Sequence, residues 1–124
     1  MKPSDLLPTP PPFKEKSHAN DLQARLDWGE PALTIIDVRD HESFNKMHIM
    51  GAISIPFERL PEGVLDAVEL KRDLYIYGDS DEQTAEAAAQ LRSAGFTKVA
   101  ELIGGLPAWQ AGDYPVEAIS AVVG

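Results

Sequence analysis

The chain has 124 residues, 44% hydrophobic and 25% charged, with 11 basic against 20 acidic side chains, a formal charge of −9 and no cysteine. That length and composition fit one globular domain, large enough to bury roughly two thirds of its unfolded surface, and leave no room for a second. The missing cysteine excludes disulfides, thiolate metal sites and a thiol nucleophile, and the negative charge argues against nucleic acid and membrane surfaces as partners.

Residues 1–16 carry five of the ten prolines, Pro3, Pro8, Pro10, Pro11 and Pro12, and predict an extended N-terminal arm. The start, Met1 to Pro8, lacks the apolar stretch of a secretion signal, and no run of about 18 apolar residues occurs, so a soluble, cytoplasmic protein is expected. Ser17 is placed to cap a helix in which Leu22 and Leu26 share a face and which Gly29 and Pro31 end. Leu33 to Val38, rich in β-branched residues, reads as a buried strand. Asp40 is a cap for a short helix through Phe44. Gly51 then breaks the chain before a second strand, Ala52 to Ile55. Pro61 suits the first turn of a helix with Val64, Leu65 and Val68 on its apolar face. Leu74 to Tyr77 is a third strand. After the loop Gly78-Asp79-Ser80-Asp81-Glu82, the residues Ala87, Ala88, Leu91 and Ala94 give a helix over 83–94, stopped by Gly95. Val99 to Ile103 is a fourth strand, Gly104-Gly105 a tight turn, and Leu106 to Ala111 a short helix bearing Trp109. Strands alternating with helices through short connections predict an α/β domain with a small parallel sheet flanked by helices on both faces. Ligands of such folds bind beyond the carboxyl ends of the strands, here after Val38 and after Tyr77.

The loop after Tyr77 sits where backbone N–H groups and a helix dipole ordinarily receive an anion, yet it carries Asp79, Asp81, Glu82 and Glu86, with no Lys or Arg between Asp73 and Gln90. Helix capping by Ser80 or Asp81 explains these residue types, and Ser80 with Gln83 matches a capping box. The same Asp79-Ser80-Asp81 run is similar to the D-x-D loop of haloacid-dehalogenase-like phosphatases, in which Asp79 would be a magnesium-assisted nucleophile. Asp37 and Arg39 flank Val38 and point to one side, Asp37 to accept backbone N–H groups and Arg39 to brace a neighbouring loop. His18, His41 and His48 lack the spacing and soft co-ligands of a zinc site, so no metal is expected. His48 reads as a hydrogen-bonded, partly buried ring. Ser80, His48 and an Asp do not make a credible triad, because no G-x-S-x-G elbow is present.

Taken together, Ile36-Asp37-Val38-Arg39, His48 to Pro56, Leu91 to Phe96 and Gly104-Gly105-Leu106-Pro107-Ala108-Trp109 resemble, in order, the rhodanese-like domain. Tyr114-Pro115-Val116-Glu117 is similar to that family's usual end. The resemblance implies a domain over residues 17–117, an arm over 1–16 and a tail over 118–124. In active members of the family a Cys follows the central strand in a loop C-x-x-G-x-[RK]-[ST], whose amides cradle a persulfide or substrate anion. Laid on this chain, that register puts Gly78 at the nucleophile's position, Asp81 at the loop glycine, Gln83 at the basic residue and Thr84 at the hydroxyl. Developing negative charge would be repelled there.

The resemblance thus implies the fold and argues against the activity. It leads to a non-catalytic docking or regulatory module that needs no cofactor. Its expected binding loop is Gly78, Asp79, Ser80, Asp81, Glu82, Gln83 and Thr84, supported by Asp37, Arg39 and His48. Its expected partner is a protein or small ligand, bound by a monomer. An accessory role in a sulfur-transfer pathway and an Asp79-dependent phosphotransferase are the alternatives.

Overall fold

A computed structural model describes residues 8–119 of the chain. In chain order the elements are β1 (Lys16–Ser17), α1 (Ala19–Trp28), β2 (Leu33–Asp37), α2 (His41–Lys46), β3 (His48–Ile49), β4 (Ile53–Ser54), a 3-10 turn (Phe57–Arg59), α3 (Glu62–Leu65), β5 (Asp73–Tyr77), α4 (Asp81–Ser93), β6 (Val99–Leu102), α5 (Gly105–Ala111) and β7 (Val116–Glu117). Five strands form one parallel sheet in the order β1-β6-β5-β2-β4, and β3 pairs antiparallel with β7 in a separate ribbon.

The central strands β2 and β5 are buried on both faces, as their apolar runs require. Alternate side chains feed two cores. On one face Ile35, Tyr75, Tyr77, Ala100 and Leu102 pack with Leu22 of α1 and with Leu106 and Trp109 of α5. On the other, Ile36, Leu74, Ile76 and Val99 pack with Val64 of α3 and with Ala87, Ala88 and Leu91 of α4. The expected α/β class, with helices covering both faces of a parallel sheet, is the observed one.

Several local expectations are corrected. The N-cap of α1 is His18, whose backbone N–H donates to Asp21 at 2.8 Å, while Ser17 belongs to β1 and donates its hydroxyl to the Lys14 carbonyl. Leu26 is exposed. Besides Ala19 and Leu22, α1 turns Arg25 inward, 2% exposed, its guanidinium meeting Asp73 at 2.7 Å and the Tyr75 hydroxyl at 3.3 Å. Leu65 likewise faces out, and Val64 alone anchors α3. Part of the expected arm, residues 1–7, lies outside the described residues. Within the rest of it Phe13 packs on the core and meets the Tyr75 ring edge-on at 5.6 Å, and Lys16 is in the sheet. Of the expected tail, residues 120–124 lie outside the description, and Ile119 donates its N–H to the Asn45 carbonyl. Among the described residues no helix is long and apolar enough to cross a membrane.

Candidate functional site

Gly78 follows the last residue of β5 and lies at the sheet's carboxyl edge, followed directly by the loop into α4. The loop folds around its own side chains. The Gly78 N–H donates to Thr84 Oγ1 at 2.9 Å, and that hydroxyl donates to the Ser80 carbonyl at 3.0 Å. Ser80 is the N-cap of α4, its Oγ accepting the Gln83 N–H at 3.1 Å. The other half of the expected capping box is displaced by one residue, because Gln83 Oε1 accepts from the N–H of Asp79 at 2.8 Å rather than from Ser80. Asp81 reaches out of the loop and accepts the Gly104 N–H at 2.9 Å, which ties the start of α4 to the start of α5. The Gly78, Asp79 and Gln83 N–H groups of the loop are thus taken by Thr84, Gln83 and Ser80, and the facing Gly104 N–H by Asp81.

The space at Gly78 is filled as well. A Cβ on residue 78 would lie 2.5 Å from Gln83 Oε1, closer than real Cβ contacts come, and 3.1 Å from Val38 Cγ2, a tight contact. The adjoining hollow, about 200 Å³, is bounded by Gly78 to Asp81 on one side and by Gly104, Gly105 and Pro107 on the other. Asp79, Asp81 and Glu82 are exposed around it. A larger hollow of 560 Å³, between Pro31-Ala32 and Ala67 to Asp73, is at the amino ends of β2 and β5, opposite the Gly78 loop.

Asp37 and Arg39 form a closed unit beneath the loop. The Asp37 carboxylate is fully buried and accepts the Arg39 N–H at 2.9 Å, Nε at 3.0 Å and Nη2 at 2.7 Å. Nη2 also donates to the Met47 carbonyl at 2.7 Å. Burial would lower the Arg39 pKa, but the hydrogen bond and charge of Asp37 raise it, so the guanidinium stays fully charged and committed to its partner. It is not a free cation for a ligand. The guanidinium lies 5.5 Å from the Tyr77 ring centre. Burial, reinforced by the Asp37 charge, pushes the Tyr77 phenol far above its ordinary range, and its oxygen accepts the Ile49 N–H at 3.1 Å. Neither this phenol nor its role was legible in the sequence, where Tyr77 reads simply as the end of a strand.

His48 is buried on β3, its Nδ1 at 2.7 Å from the Phe44 carbonyl and its Nε2 at 3.1 Å from Glu117 Oε1. It belongs to the ribbon beside the sheet rather than to the Gly78 loop. His41 is apart from it, with Nδ1 2.7 Å from Ser54 Oγ. Among the described residues no three His, Asp or Glu side chains gather in a group that could hold a metal ion, so Asp79 is not surrounded by the carboxylates that magnesium-assisted phosphoryl transfer requires.

Comparison with known proteins places these motifs in context. The family model described as "Rhodanese-like domain" matches residues 18–112. The chain is 36% identical over 86 residues to the uncharacterized protein slr1261 of Synechocystis, covering 69% of this chain and 48% of that protein. It is 36% identical over 90 residues to the "Probable adenylyltransferase/sulfurtransferase MoeZ" of Mycobacterium tuberculosis, covering 72% of this chain and 23% of that protein. It therefore spans less than half the length of either relative. The crystal structure of the Alr3790 protein from Anabaena superposes with a TM-score of 0.81 at 52% identity, covering 83% of this chain and 80% of that one.

Proposed function

The chain belongs to the rhodanese-like domain family, related to sulfurtransferases, and from that premise we propose that it is a non-catalytic member that binds a partner through the loop from Gly78 to Thr84. The observation that carries this reading is the pairing of Gly78 with Gln83. The family's nucleophile position has no side chain, and the room such a side chain needs is occupied by an amide that also takes the Asp79 N–H. Acids at 79, 81 and 82 oppose the accumulation of negative charge that sulfur transfer from thiosulfate entails. Held at the end of the sheet by the Thr84, Ser80 and Gln83 bonds and by Asp81 to Gly104, the loop instead presents an acidic surface, suited to a basic segment of a protein partner.

Two measurements test it. The purified chain transfers no sulfur from thiosulfate to cyanide above a buffer blank, and clear turnover would overturn the non-catalytic reading. Capture from native cells is then compared for the wild type and for Asp79→Asn with Glu82→Gln, both exposed positions. A partner held by the first and lost by the second is expected, and equal capture places binding elsewhere. A second reading, an accessory part in sulfur transfer, draws support from the sulfurtransferase named among the relatives. It is favoured if the captured partner carries a reactive cysteine.

A further inference from the structure

We propose that His48 and Glu117 form a proton-dependent latch that holds the C-terminal strand β7 against β3. Both nitrogens of the buried ring face atoms that only accept. Nδ1 lies 2.7 Å from the Phe44 carbonyl oxygen, and Nε2 lies 3.1 Å from Glu117 Oε1. A neutral imidazole carries one N–H and can satisfy one of them; the imidazolium satisfies both. Glu117 is equipped to stay ionised, because its Oε1 also accepts the Gly51 N–H at 3.1 Å. That bond first, and the bond from His48 second, hold its carboxyl below the ordinary range. The Phe44 ring stacks on the imidazole at 3.6 Å between centres and 8° between planes, offering a π face to the cation.

Other charged groups around the ring are already engaged. Arg39 bonds the Met47 carbonyl, next in the chain, but is paired with Asp37; Lys46 of α2 is exposed and 3.6 Å from Glu42; α5 carries no charge; and from β5 the Tyr77 phenol meets Ile49 rather than the ring. Glu117 is therefore the charged group that reads the ring's proton. The strap it closes is short. β7 pairs two residues with β3, extended by Met50 N–H to the Pro115 carbonyl and Ile119 N–H to the Asn45 carbonyl. Closing the latch takes up one proton on the ring, so closure weakens as pH rises, by at most about tenfold per pH unit.

The test is performed on the full chain. Nitrogen-15 spectra count the hydrogens on the His48 ring, while amide exchange at Gly51 and Ile119, corrected for intrinsic pH dependence, reports closure. Expected are two ring hydrogens wherever Gly51 is protected, and protection that falls about tenfold per unit as the second is lost. In Glu117→Gln an oxygen at the Oε1 position still accepts from Gly51 and from the ring but carries no charge to hold the second hydrogen, so protection is lost at lower pH than in the wild type. A ring with one hydrogen while Gly51 is protected, or the same pH profile in both proteins, would overturn the proposal. Glu117 is half exposed, so the variant retains the core.

Discussion

The side-chain oxygen of Gln83 stands 2.5 Å from the point where a β-carbon on residue 78 would be, so Gly78 and Gln83 share one volume. Which of them has a side chain there decides what the loop can do. The obstruction is the far end of a flexible side chain, not backbone, and can move.

Gly78→Cys is therefore tolerated at a cost. The thiol displaces Gln83 Oε1 and orphans the Asp79 N–H, a loss of about 1 kcal/mol. In a Gln83→Ala background the same substitution costs less, because the bond is already gone. A double-mutant cycle by urea denaturation checks the coupling.

Sulfur transfer requires more than the thiol. Gly78→Cys alone gains no thiosulfate-to-cyanide activity, because the acids remain around the loop and no cation stands at position 83. Adding Asp81→Gly and Gln83→Arg frees the Gly104 N–H and supplies a cation, with Thr84 already in place. Turnover is expected from the triple variant and none from the single one.

Removing Arg39 leaves the Asp37 carboxylate buried without its counter-charge. Arg39→Met is expected to destabilise by about 3–5 kcal/mol, measured by chemical denaturation. Surface pairs such as Lys46 with Glu42 contribute far less.

The Tyr77 phenol resists ionisation because it is buried, and Tyr75 is shifted the same way for the same first cause. In the unfolded chain both lose their protons near the ordinary value of 10.0. The folded state then binds more protons than the unfolded one, so stability falls as pH climbs above about 10. Phenolate absorbance should rise for these two rings only as the protein unfolds, and ionisation at ordinary pH in the folded state would contradict it.

Ser80→Ala removes the acceptor for the Gln83 N–H and costs about 1 kcal/mol in thermal or urea melts, whereas Ser80→Asp keeps the cap.

Much of this was legible in the sequence because it follows from periodicity and local punctuation. Leu33 to Asp37 and Asp73 to Tyr77 are strands because they are short apolar runs, and Ala87, Ala88 and Leu91 mark the buried face of α4. Of the two-residue strands β4 was legible, whereas β1, β3 and β7 leave no such signal: they exist through partners 67 to 85 positions away, such as Lys16 with Glu101 and His48 with Glu117. Arg25 was hidden for a related reason, since a charge at a buried position makes sense only once Asp73 stands opposite it. At the site, Gly78 and Gln83 could be named from the motif register, but their competition for one volume depends on a rotamer, and the displaced half of the capping box depends on the path of the loop.

Sheet edges are where folded proteins meet each other by accident, because an outer strand offers unpaired N–H and carbonyl groups as a template. Here the outer strands, β1 and β4, are two residues each, and the longer strands lie between them. Lys16 adds a charge at one border. With so brief a ladder on either side, another extended chain finds little to zip onto.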